Sequence, residues 1–215
     1  MLGVSVGAVV KCTRRVIGAL GAVAPQHVKW ANARRRAGLS ASAASKFGFD
    51  GCVGAADGTT FSLAYQPAFQ PWTYYDRKQR YSLSGLITCD WDGYITNGVL
   101  GCTGAAPDTF VQSLTSWHHR PNLFFSAGQY LLGDQGMLYS RNLIGPCKQP
   151  EMNGPEHRNF NYQLARLRVK SEHTIGILKG RWGSLEELRI ALSTDKHFSF
   201  ALTWVMAYVV LHNVP

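Results

Sequence analysis

The 215-residue chain is 46% hydrophobic and 16% charged, which suits one well-cored α/β domain with a small appendage and excludes a disordered protein. A formal net charge of +9 and a pI of about 9.5 point to a polyanionic partner, with a ribosomal or membrane-surface role as the alternative. The five cysteines (12, 52, 89, 102 and 147) never occur as CxxC, so neither a zinc site nor a disulfide framework is indicated and a reducing compartment is the simplest reading. No apolar run is long enough to span a bilayer. The N-terminal stretch resembles a signal peptide only superficially, because Lys11, Arg14 and Arg15 interrupt it. The chain is therefore expected to be soluble and intracellular.

Residues 2–24 carry an amphipathic pattern, with Val6, Val9 and Val10 followed by Val16, Ile17 and Leu20 and with Ser5 as a candidate N-cap. The stretch is similar to the second half of a helix-turn-helix, and a plain packing helix satisfies it equally. The segment VKWANARRRAGLSASAASKFGFDG reads as a solvated basic connector that touches phosphate at most. The core then opens with a small and apolar run, Cys52 to Ala56, leading into Asp57-Gly58-Thr59-Thr60-Phe61. This is expected to be a buried strand with Asp57 at or near its end. An acid there is costly unless hydrogen-bonded or bound to a metal, and the alternative is an Asp-Gly hairpin turn.

A Pro/aromatic loop, Gln66–Tyr75, precedes two alternating strands, Tyr81–Cys89 and Tyr94–Leu100, with Asp90-Trp91-Asp92-Gly93 as their turn. Arg77, Lys78 and Arg80 lead into the first of these. Asp108 follows Pro107 and opens a helical pattern of Phe110, Val111, Leu114 and Trp117, where capping alone would explain an acid. The run Gln129–Gly136 is a short apolar strand ending in Asp134 beside glycine, which repeats the Asp57 arrangement. Pro146–Pro155 is a loop rich in Pro, Gly and Asn. It precedes a long helix over Asn161–Gly183, capped by Asn161, with Leu164, Leu167, Ile175, Leu178 and Trp182 along one side. Basic residues cover the rest of that helix, around one acid, Glu172 (taken alone, a surface Glu paired with Arg168 or Lys179). An apolar helix over His197–Asn213 closes the chain.

The order is thus strand with Asp57, two strands, helix, strand with Asp134, loop, helix with Glu172. That is the element order of an RNase H-like α/β fold, a mixed sheet flanked by helices, with 1–47 as a helical remnant and basic linker before a domain at 48–215. Adjacent strand ends and a facing helix can bring carboxylates together around two divalent ions about 3.5–4 Å apart. Oxygen-only ligands favour Mg²⁺ or Mn²⁺ over zinc.

Six ordered segments carry a family resemblance: VGAADGTT, YDRKQRYSLSGLITCDWDGYI, GAAPDTF, YLLGDQGM, FNYQLARLRVKSEHTIGILKGRW and the terminal LHN. Together, from about Gly48 to Asn213, they resemble the PIF/Harbinger-type DDE transposases and their domesticated nuclease relatives. The resemblance implies a metal-dependent DNA endonuclease and strand-transferase with a nuclear role. A helix-turn-helix or a separate Myb-like protein would then supply target binding, and a homodimer would be compatible with it. It assigns Asp57, Asp134 and Glu172 as catalytic metal ligands and Asp108 as a further ligand. Arg77, Lys78, Arg80, Lys170, Lys179 and Arg181 are the expected contacts to DNA phosphates. Four positions depart from the family pattern: Pro107 replaces His, Thr109 replaces Ser, Met137 replaces Tyr, and Ile175 replaces an aromatic residue. These departures point to a decayed copy, the chain is expected to open inside a DNA-binding region, and two rival readings stand beside the first. One is a domesticated, inactive DNA-binding or interaction protein, and the other is an RNA-directed nuclease.

Overall fold

The computed structural model describes residues 3–149 and 154–214. Among them, six strands form one mixed sheet in the order β3-β2-β1-β4-β5, with β6 also paired to β1. The strands are β1 (Cys52–Leu63), β2 (Ser82–Cys89), β3 (Ile95–Thr103), β4 (Tyr130–Leu132), β5 (Leu143–Ile144) and β6 (Glu187–Leu188). β1, β2 and β3 are antiparallel neighbours, whereas β4, β5 and β6 join in parallel. This is the mixed α/β arrangement expected of an RNase H-like domain. β2 is buried along its whole length, which accounts for its nearly unbroken apolar and small-residue sequence.

Asp57 lies inside β1, not at its end, and no turn forms at Asp57-Gly58: Asp57 pairs with Ile87 and Gly58 with Leu86. The reason is how β1 is shared. β2 follows it from Ala55 to Ser62, while the opposite edge is taken by β4 at Cys52 and Ala55 and by β6 only from Ser62 onward. Residues 56–61 therefore form a stretch of β1 with a strand partner on one side alone. The acid sits in that gap.

Helices cover both faces. On one, α6 (Pro155–Arg181) and α7 (Asp195–Asn213) bury Ile175, Leu178, Ala201, Val205 and Val209 against Phe61, Leu63, Leu83 and Ile87. On the other, three short helices, α3 (Asp108–Ser113), α4 (Ser116–His119) and α5 (Pro121–Phe124), pack Val111, Trp117 and the adjoining Phe125 on Val53, Leu86 and Leu131. The single helical pattern expected after Asp108 is thus broken, with Pro121 opening the third piece. The alternation of β2, Leu83 and Ile87 to one side and Leu86 to the other, divides the two cores.

The basic connector is a helix. α2 (Ala33–Phe47) starts at Asn32, whose side chain accepts from the Arg35 amide, and ends on left-handed Gly48. Its Ala43 packs with Phe49, Cys52, Ala55, Leu132, Leu164 and Leu167. Two of its three arginines have protein partners: Arg35 bonds Asp90, and Arg36 bonds Gln129 and the Ala31 carbonyl. α1 (Val6–His27) is capped by Ser5, as its sequence suggests, and buries Ile17 and Ala24. Gly21 lets it approach α7 closely, since a Cβ there would lie 2.7 Å from Thr203 Cγ2. None of the helices in the described residues is long and apolar enough to cross a membrane.

α6 begins at Pro155, six residues before the expected start. Proline is pre-set for the first helical position, and Glu156 sits favourably in the first turn. Asn161 consequently does not cap the helix. Its side-chain amide instead accepts from the Cys147 amide (2.8 Å) and donates to the Cys147 carbonyl (3.0 Å). Of the Pro146–Pro155 loop, residues 150–153 lie outside the described residues.

Candidate active site

The gap in β1 collects acids from four elements. Asp57 comes from the middle of β1. Asp108 is the first residue of α3, but its carboxylate makes no capping bond to that helix and turns to the sheet instead. Asp134 follows β4 by two residues and accepts from the Gly136 amide (2.8 Å). Glu172 is exposed on α6, next to buried Ser171. It makes no ion pair or hydrogen bond among the described residues, so pairing with Arg168 or Lys179 does not explain it.

Two glycines show how close Asp108 comes to β1 and to Asp134. A Cβ on Gly58 would lie 2.9 Å from Asp108 Oδ1, and one on Gly136 would lie 3.1 Å from Asp108 Oδ2 and 3.3 Å from Asp134 Oδ1. A side chain at either position would push into the carboxylates. The charges feel one another accordingly. Burial raises the Asp57 carboxyl to about 6, opposed by Arg168 and assisted by the negative charges of Asp134 and Glu172. Asp108 is likewise raised, by burial first and then by Asp134, against the pull of Arg77. Tyr139, which sequence reasoning passed over, joins the same field: burial and then Asp134 raise its hydroxyl, while Arg168 opposes them.

Two cations answer this negative charge. Arg168 Nη2 stands 3.3 Å from Asp57 Oδ1, with both side chains mostly buried, and its Nε has no partner. Arg77 Nη2 is 3.8 Å from Asp108 Oδ2 and almost fully exposed. Arg77 and Lys78 line a cleft of about 600 Å³ together with Thr60, Tyr75, Asp108 and Gly136. Arg80, Lys170 and Arg181 are exposed. Lys179 is not a free surface cation. Its ammonium donates to the Thr60 carbonyl (2.7 Å) and lies 5.1 Å from the Phe61 ring centre. Burial, with Lys78 and Arg80 adding to it, lowers its pKa.

The donor chemistry, carboxylate oxygen throughout, suits a hard divalent cation. The geometry goes less far. Among the described residues no three His, Cys, Asp or Glu side chains are grouped as ligands of one ion. Close pairs are in place, and Arg168 neutralises one member.

The departures from the family pattern fall beside this cluster. Met137 is buried in the core under α3–α5 and Ile175 in the core under α6 and α7. Pro107 supplies the extended residue before α3.

A mixed sheet in the order β3-β2-β1-β4-β5 with helices on both faces is an RNase H-like fold, the fold class of the DDE superfamily. Consistent with this, residues 56–213 match the DDE superfamily endonuclease family, and the chain belongs to it. It is also 24% identical to the rat (Rattus norvegicus) protein described as "Putative nuclease HARBI1", over 214 residues that make up 99% of this chain and 60% of that relative. The chain thus spans about 60% of the relative's length, less than two thirds. No solved structure matches it significantly.

Proposed function

We propose that the chain is a divalent-metal-dependent DNA endonuclease domain of transposase origin, acting on phosphodiester bonds at the β1 gap. The observation that carries this reading is a chain of neighbouring acids about the gap: Asp134 acts on both Asp57 and Asp108, and Glu172 acts on Asp57. Like charges held together in a poorly solvated place are expensive for folding alone and suit a site that receives cations.

Asp57, Asp134 and Glu172 would hold Mg²⁺ or Mn²⁺, and Asp108 would be a fourth acid nearby. Bound there, a pair of divalent ions supplies activation of the attacking oxygen and charge neutralisation of the leaving one. The chain's own residues do the rest. Gly58 and Gly136 leave room for the Asp108 and Asp134 carboxylates. Lys179 fixes the Thr60 end of the gap through its bond to the Thr60 carbonyl. Arg77, Lys78 and Arg80 would hold phosphates at the cleft, with Lys170 and Arg181 extending the basic surface. Catalysis on this account is positioning and electrostatics, with no covalent bond to the protein. The same reading assigns a nuclear role, a separate Myb-like DNA-binding partner, and a homodimer as the working unit. A fluorescent fusion, co-purification and sedimentation check these three in turn.

Nicking of supercoiled plasmid in Mg²⁺, absent in EDTA and lost in Asp57→Ala, is the expected result. Equal nicking by wild type and Asp57→Ala overturns the proposal. One observation favours the inactive rival: Arg168 already occupies Asp57. That rival expects salt-sensitive DNA binding that survives Asp57→Ala, with no metal-dependent cleavage by either protein.

A further inference from the structure

The loop that supplies Tyr75 to the same cleft carries a second unusual feature. The loop between β1 and β2 exposes four large rings, Tyr65 at 52% and, closer to the cleft residues in sequence, Phe69 at 72%, Trp72 at 71% and Tyr75 at 48%. This loop is not loose. The Ala68 amide donates to the Leu192 carbonyl (3.0 Å), and the Ala105 amide donates to the Thr73 carbonyl (3.0 Å). Thr73 Oγ1 donates to the Gln70 carbonyl (2.8 Å), and Gln70 itself holds a left-handed φ of 44°. Tyr74, between the exposed rings, turns inward and packs on the core. A segment pinned at these points holds its other aromatics in water, and exposed apolar area grouped in this way marks a contact surface.

Cations follow directly. Tyr75 pairs with Tyr81 across an isolated bridge, with ring centres 5.6 Å apart. The residues between them include Arg77, Lys78 and Arg80. Buried Asp76 shapes this bend, its Oδ1 accepting from the amides of Lys78 (2.8 Å) and Arg80 (3.1 Å). Tyr75, Arg77 and Lys78 share the cleft lining with Asp108. Flat π-faces beside positive charge is the chemistry that binds a single nucleic-acid strand: rings take the bases and cations take the phosphates.

We infer that Phe69, Trp72 and Tyr75 form a stacking platform for unpaired bases, so that the strand entering the cleft is locally melted DNA. The inference rests on the nucleic-acid reading above and adds the state of the substrate to it. Bases within an intact duplex stack on one another and offer the rings no free face. A platform therefore discriminates between single-stranded and duplex DNA, whereas basic residues alone bind both.

The test is binding of fluorescein-labelled oligo(dT) and of a duplex of equal length, measured by anisotropy for wild type, Trp72→Ala, Trp72→Phe and Arg77→Ala. Trp72→Ala is expected to weaken oligo(dT) binding about tenfold and to leave duplex binding unchanged, with Trp72→Phe close to wild type. Arg77→Ala is expected to weaken both and to flatten the salt dependence. Because Trp72 is exposed, its loss leaves folding intact, which a thermal melt verifies. If wild type binds oligo(dT) and Trp72→Ala binds it equally, the platform is overturned while the nuclease reading stands, and the rings are then a protein-docking surface. If wild type binds neither DNA, the nucleic-acid reading fails and the platform with it.

Discussion

Asp57, in β1, and Asp90, in the turn between β2 and β3, belong to one sheet, both largely withdrawn from water, and their surroundings are opposite. Asp90, with a side chain 0% exposed, has its lone pairs filled. Its Oδ1 accepts from the amides of Asp92 and Tyr94 (both 3.0 Å), and its Oδ2 accepts from Nε and Nη2 of Arg35. Asp57, 16% exposed, has one arginine at 3.3 Å and the negative charges of Asp134 and Glu172 around it. The first arrangement closes a turn and fastens α2 to it. The second leaves a charge that the fold does not fully compensate. A buried acid thus declares its role less by its depth than by what remains unsatisfied around it.

The largest expected effect breaks the satisfied acid. Asp90→Ala orphans two turn amides and releases Arg35, and should cost about 3 kcal/mol of stability, read as the midpoint shift in urea unfolding. Asp57→Asn should do the reverse without metal. Its carboxyl is raised from 3.8 to about 6, so between those values the folded protein binds the proton that the unfolded chain has lost. Stability from this group therefore falls as pH rises through that window, and at pH 7 the asparagine variant should be more stable by about 2 kcal/mol. Melts in EDTA from pH 4 to pH 7 would show wild type losing ground to the variant. Arg168→Gln removes the cation that tempers Asp57 and should cost about 2 kcal/mol in EDTA, a loss that added Mn²⁺ should partly restore. An identical deficit with and without Mn²⁺ would show Arg168 to be a packing residue only. The smallest effect belongs to Asp92, 74% exposed on its pair with Arg35: Asp92→Ala should stay within about 0.5 kcal/mol in the same urea assay.

Much of this contrast could be read from residue order. Strands around Asp57 and Asp134, the hairpin at Asp90 and the helix bearing Glu172 follow from apolar periodicity and turn residues, which are local signals. What could not be read is non-local. Asp57 looks like a strand end because Asp-Gly marks a turn, yet the strand runs on because β2 pairs straight past it. The gap that makes the site depends on β4 and β6, and β6 is only two residues long, too short to leave a pattern. Arg35 and Lys179 look like surface cations until Asp90 and the Thr60 carbonyl are brought to them from 55 and 119 residues away. Asn161 reads as a cap because the helix ahead of it lacks an apolar stripe, and Pro155 starts that turn by backbone geometry instead.

Calorimetric titration of the metal-free protein with Mn²⁺, comparing wild type with Asp57→Asn and Glu172→Gln, bears most directly on whether these acids work together. Saturable binding by wild type that is weakened in both variants is the predicted result. Binding that is undiminished in Asp57→Asn, or absent from wild type, would contradict a shared cation site at the β1 gap.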